Sequence, residues 1–119
     1  MYAGHKKQLG QEGEDFAAQR IQIEGLKIIA RNFRCPVGEM DIIATEGEKL
    51  IFIEVRSRTS QHFGWGEESI KPQKKIRLHR IAEYFILSQK LREWPSVRFD
   101  LVAIRWLESG PQFNWIQGI

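Results

Sequence analysis

The sequence predicts an α/β domain, a mixed β-sheet with helices packed against it, with elements in the order αβββαβ and a short last strand. Three observations carry this. Two stretches, 10–24 and 72–91, repeat their apolar residues at helical period. Between them lie three runs of strand character, two joined across a glycine-bearing turn. A further run, "VRFDLVAIRW", follows the second helical stretch.

From Gly10 to Glu24 the residues Phe16, Ala17, Ala18, Ile21 and Ile23 form the repeat, and Gly25 stands where a helix C-cap belongs. "LKIIARNF" (26–33), "GEMDIIAT" (38–45) and "KLIFIEVRSR" (49–58) read as strands, and "TSQHFGWGEES" (59–69) as a glycine-broken loop. The second helix opens with Pro72 in its first turn and shows the stripe Leu78, Ile81, Ala82 and Phe85. Strand 97–106 follows, and "QFNWI" (112–116) is the short last one.

The chain, 1–119, reads as one domain, with no repeat and no Pro/Ser-rich linker. It is 42% hydrophobic and 28% charged, and its net charge of +3 permits an anionic partner without demanding one. The single cysteine, Cys35, makes neither an internal disulfide nor a cysteine metal cage, and the three histidines lack ligand spacing, which argues against zinc. No signal-peptide pattern and no membrane-length apolar run is visible, so the expectation is a cytoplasmic protein without a membrane partner.

The question is why "IFIEV" carries Glu54 in its middle and why Asp41 stands just before "IIA". A two-residue turn at Gly47-Glu48, or a four-residue one over 46–49, places Asp41 opposite Glu54, Glu39 opposite Arg56 and Ile43 opposite Phe52. Directly opposed Cβ atoms lie roughly 4.5–5.5 Å apart, and like charges there destabilise a sheet. A divalent cation held by oxygen ligands offsets that repulsion. The alternative is a solvated face in which Glu39 pairs with Arg56 and Arg58 reaches Glu54. The residues alone leave both open. Glu14 heads the buried stripe of the first helix and is placed to lean toward the same point, whereas Glu12 and Asp15 read as first-turn acids favoured by the helix dipole. Lys74 heads the stripe of the second helix. The cations around it oppose the dipole of a helix start, a conflict that an anionic ligand relieves.

"GQEGEDFAAQ", "RNFRCPVGEMDIIA", "LIFIEVRSR", "FGWGEESIKPQKK" and "RFDLVAI" resemble, in this order, the UPF0102 (YraN-like) family of bacterial proteins over about Gly10 to Ile104. That family is similar to archaeal Holliday-junction resolvases and to restriction-endonuclease-like nucleases. The resemblance implies a restriction-endonuclease-like fold and a metal-dependent endonuclease acting on DNA, branched or structured. It also implies a homodimer, since the related resolvases work as dimers. The nuclease pattern of a helical acid, an Asp and E-x-K falls on Glu14, Asp41 and Glu54, with Arg56 where the lysine belongs. Arginine does not lose its proton as lysine can, so Lys74 becomes the candidate for the missing amine. Asp41 and Glu54, with the Val55 carbonyl, are then the ligands expected to hold Mg²⁺ or Mn²⁺, and Glu14 acts through a second metal or an outer-shell water. Arg34, Arg58, Lys71 and Lys75 are the expected nucleic-acid contacts, together with Trp65 in the aromatic loop. Phe63 and Trp65 also fit as core beneath the second helix. Three functions remain in view: a nuclease, a nucleic-acid-binding module with the fold but weak or lost cleavage, and an interaction protein whose acidic face is structural.

Overall fold

The computed structural model describes residues 2–59 and 71–119, with side chains from Gly10 on. The elements are α1 (Tyr2–Ile23), β1 (Lys27–Cys35), β2 (Gly38–Glu46), β3 (Lys49–Arg58), α2 (Pro72–Ser88), β4 (Ser96–Leu107) and β5 (Gly110–Gln117). The strands form one sheet in chain order. All neighbours run antiparallel except β3 and β4, which are parallel, with α2 between them in the chain. The predicted mixed α/β order holds, and the short last strand becomes a full edge strand. α1 starts well before Gly10. "YAGHKKQL" has no proline to stop a helix propagating outward, and its polar run offers no apolar period to read.

The helices cover opposite faces. α1 lays Ala17, Ala18 and Ile21 on Ile42, Ile51, Ile53 and Val102. α2 lays Leu78, Ile81 and Phe85 on Met40, Ile43 and Phe52. Each large aliphatic or aromatic side chain removed from water in these layers contributes about 1.5–3 kcal/mol.

The hairpin register follows the expected frame, with Ile43 opposite Phe52 and Glu46 opposite Lys49. Gly47 alone of the two turn residues has positive φ, at 61°, as a type II′ turn requires. The frame does not reach the carboxylates. The β2–β3 ladder ends at Ile42↔Ile53, while β2 stays with β1 through Phe33↔Met40, Arg34↔Glu39 and Cys35↔Gly38. Alternation breaks at the same level, since both Met40 and Ile43 pack under α2. In β1, Asn32 takes a left-handed conformation at φ 53° beside the break. Asp41 therefore does not pair with Glu54 across a ladder, and Glu39 lies across from Arg34 instead of Arg56. β2 has turned away with its other neighbour.

At the other end of the sheet, Asp100 is 1% exposed. Arg98 donates to both of its oxygens at 2.8 Å, Trp115 Nε1 donates to Oδ2 and the Gly118 amide to Oδ1. This clamp ties β5 and the chain end to β4.

Gly13 sets how closely α1 approaches β3. A Cβ there would lie 2.8 Å from Ser57 Oγ and 2.9 Å from Ser57 Cβ, and that hydroxyl already accepts the indole N–H of Trp106. Gly13→Ala gains about 1 kcal/mol of helix propensity but meets a β-carbon that cannot swing aside, an overpacking that costs about 1–3 kcal/mol. A lowered Tm is expected in thermal denaturation, recovered in part by adding Ser57→Gly. A Tm that rises in the single variant contradicts this packing.

Candidate active site

One step past the last β2–β3 pair, the Val55 N–H donates to Asp41 Oδ2 at 2.7 Å. The carboxylate satisfies a strand amide just where the ladder ends, and is thereby fixed in the cleft between the two strands. Burial first, and then the neighbouring carboxylates of Glu14, Glu54 and Glu39, push the Asp41 carboxyl from 3.8 up to about 6, against the Val55 N–H, which holds it down. Two of the three acids singled out in the sequence thus act on the third through space.

Glu54 follows Phe52 on the α2 face of β3, and its side chain is 15% exposed. Lys74 stands in the first turn of α2, one turn before the buried Leu78, and its Nζ lies 2.5 Å from Glu54 Oε1. Arg56, two residues along the same strand, approaches Oε2 at 3.9 Å. That oxygen is buried and accepts no hydrogen bond from any described residue. The lysine read from the helix stripe and the glutamate of E-x-R therefore meet.

Glu14, 7% exposed, is engaged differently. Its Oε1 accepts from Arg31 Nε and Asn32 Nδ2, both at 3.0 Å. Arg31 also binds Asp15 at 2.6 Å, and this hydrogen bond, with one from Gln11, holds the Asp15 carboxyl below its ordinary range. Since α1 begins at Tyr2 and its first turn holds no acid, Glu12 and Asp15 are not the first-turn acids the sequence suggested; Asp15 instead helps pin α1 to β1. Asn32 was not found from the sequence. Its signal is modest, an asparagine inside a strand run, one of the few residue types besides glycine that tolerate positive φ.

Among the described residues, no three His, Cys, Asp or Glu side chains are grouped to hold one ion. Each of the three acids has its own partner instead. Of the basic candidates, Arg58 and Lys71 line an open cavity of about 410 Å³ with Glu54, Arg56 and Lys74. Lys75 is exposed on α2 outside that lining, and Arg34 is exposed on the edge strand β1, 3.6 Å from Glu39. Trp65 and Phe63 lie outside the described residues. Among those described, no helix is long and apolar enough to cross a membrane.

The family model described as "Uncharacterised protein family UPF0102" matches residues 13–104. The chain belongs to the UPF0102 family. A UPF0102 protein of Desulfitobacterium hafniense strain Y51 is 50% identical over 118 residues, covering 97% of this chain and 98% of that protein. Another, from Moorella thermoacetica, is 47% identical over 103 residues, covering 87% and 84%. A UPF0102 protein of Dictyoglomus thermophilum is 39% identical over 111 residues, covering 93% of each chain.

In this UPF0102 chain the raised Asp41 pKa has a definite consequence for stability. Folded protein binds the Asp41 proton more tightly than unfolded chain does, so this group favours folding below about 4 and opposes it increasingly as pH rises through about 6. Ionised Asp41 costs on the order of 2–3 kcal/mol. Asp41→Asn keeps an acceptor for Val55 and removes the charge. Without divalent cations, the variant is expected to be more stable than wild type at pH 7.5, with the gain gone at pH 4. Parallel stability–pH curves for the two proteins count against the assignment.

Proposed function

We propose that this protein is a divalent-cation-dependent endonuclease hydrolysing phosphodiester bonds of DNA, branched or structured. The observation that carries the reading is the cleft where β2 parts from β3. There Asp41, half-buried and opposed by its neighbours, stands next to a strand bearing Glu54, whose Oε2 is buried without a described hydrogen-bond donor. A carboxylate repelled by its neighbours and, beside it, a carboxylate oxygen without a hydrogen-bond donor suit Mg²⁺ or Mn²⁺ as oxygen ligands. Asp41 and Glu54 would hold the cation. When bound, it supplies Lewis acidity toward a phosphoryl oxygen and acidifies the attacking water.

The chain's own side chains divide the remaining work. Lys74, already beside Glu54, orients the water or, once it has passed its own proton to solvent, accepts the water's proton, a role open to an amine and closed to a guanidinium. Arg56, always charged, binds the phosphate oxygens in a fork and opposes the charge that grows as the bond breaks. Glu14 fixes the helix and the kinked strand beside the cleft through Arg31 and Asn32. It is a positioning residue on this reading.

A second reading is a nucleic-acid-binding module with weak or lost cleavage. Arg56 at the lysine position of E-x-K favours it, as does the ion pair that occupies Glu54.

The deciding experiment incubates duplex, single-stranded and four-way-junction DNA with the protein and Mn²⁺ or Mg²⁺. The nuclease reading expects cleavage of at least one substrate, its loss in Asp41→Asn, and a fall of about 10²-fold in Lys74→Met. Cleavage unchanged in Lys74→Met removes that residue's role, and binding without cleavage on every substrate selects the module. In parallel, Mn²⁺ at a hundredfold excess over its Kd is expected to add about 2.7 kcal/mol of stability, lost in Asp41→Asn. No shift in the wild type favours a purely structural acidic face.

A further inference from the structure

We infer that the cavity between the end of β3 and the first turns of α2 is a clamp for the backbone phosphates of a nucleic-acid strand, beside the position presented to Glu54. This takes its substrate from the nuclease reading, but its geometry stands apart from it. Arg56 and Arg58 enter from β3, and Lys71, Lys74 and Arg77 from α2, against the single carboxylate of Glu54. Five cations against one anion leave a formal surplus of four, more than the +3 carried by the whole chain. The positive charge of the protein is therefore concentrated here rather than spread for solubility.

The placement makes that surplus costly in the absence of a ligand. It sits at the N-terminal end of α2, where the helix dipole is itself positive and the first turn holds no acid. The N-cap residue, Lys71, contributes no side-chain cap. Among the described residues, Arg58, Lys71 and Arg77 have no carboxylate within ion-pair distance. An anion relieves all of these at once.

The lining also selects the kind of anion. Among the described residues it is wholly charged apart from Gln73, with neither an aromatic nor an aliphatic side chain. Guanidinium forks from two elements suit phosphate oxygens. Glu54 at one end repels an anion toward Arg58, Lys71 and Arg77. The bound phosphate is therefore offset from the carboxylates, as the neighbour of a scissile phosphate must be. A volume of about 410 Å³ exceeds one phosphate and accommodates a length of backbone.

The test measures binding of a fluorescein-labelled, mixed-sequence DNA strand by anisotropy in EDTA, with salt varied from about 50 to 200 mM. Replacing Arg58 and Arg77 together by Gln is expected to reduce the slope of log K against log salt by about 1–2, since each phosphate contact on a single strand contributes about 0.7. Lys27→Gln with Arg92→Gln removes the same charge elsewhere and is expected to leave the slope within error. All four side chains are exposed, and thermal melts check that both double variants fold. Equal slopes in the two double variants, or AMP competing as tightly as the strand, overturn the clamp. If no DNA is cleaved yet the slope falls only in Arg58→Gln/Arg77→Gln, the clamp stands and the nuclease reading falls. Cleavage with unchanged slopes has the opposite meaning.

Discussion

The hold of the Asp41 carboxylate on the Val55 amide is the constraint on which the rest of this molecule depends. A sheet that divides strands down its middle leaves amides without carbonyl partners, and each one buried costs about as much as a lost hydrogen bond. Here the residue that leaves the ladder supplies its own carboxylate to the strand it leaves. That fixes Asp41 between the layers, within electrostatic reach of Glu14 on the α1 side and Glu54 on the α2 side. The same contact that rescues the backbone sets Asp41 against the carboxylates of Glu14 and Glu54. A fold under selection for stability alone has simpler ways to cap one amide, and this local conflict is what the proposed site rests on.

Much of this was legible in the residues, for reasons that can be named. The frame of the β2–β3 hairpin followed from Gly47, because a type II′ turn needs positive φ at its first central position and little else supplies it. Lys74 was legible because helical spacing puts it on the stripe of Leu78 and Ile81, which must face the sheet. The parting of the strands was not legible. Regular alternation assumes that a strand keeps both neighbours, and no single residue in "GEMDIIA" announces that β2 keeps only β1. Asn32 and Gly38 carry conformations that favour the kink, yet each also fits an ordinary strand or turn. Arg31 carried no signal in the sequence that set it apart from other exposed cations, yet the structure commits it to Glu14 and Asp15. Asp100 was overlooked although Arg98, two residues away on the same strand face, was a visible partner.

The exchange of lysine for arginine in E-x-R bears on how the two halves of the site cooperate. A guanidinium at that point of β3 remains charged in any accessible state, so it binds phosphate well and handles protons badly. The amine that proton handling requires on the nuclease reading comes instead from α2, where Lys74 lies against Glu54. On the nuclease reading, that placement makes Lys74 and the cation competitors for one carboxylate. With Glu54 given to a cation, the Lys74 ammonium would be left as a neighbour of the incoming phosphate, held within reach by α2. The first turns of α2 also carry Lys71 and Arg77, which face the same cavity. On that reading, one helix start would couple the hold on the nucleic-acid backbone to the group that acts on the water. A lysine on the strand would separate those tasks. Its transfer to the helix joins them, so the departure from E-x-K is compatible with chemistry as well as with binding.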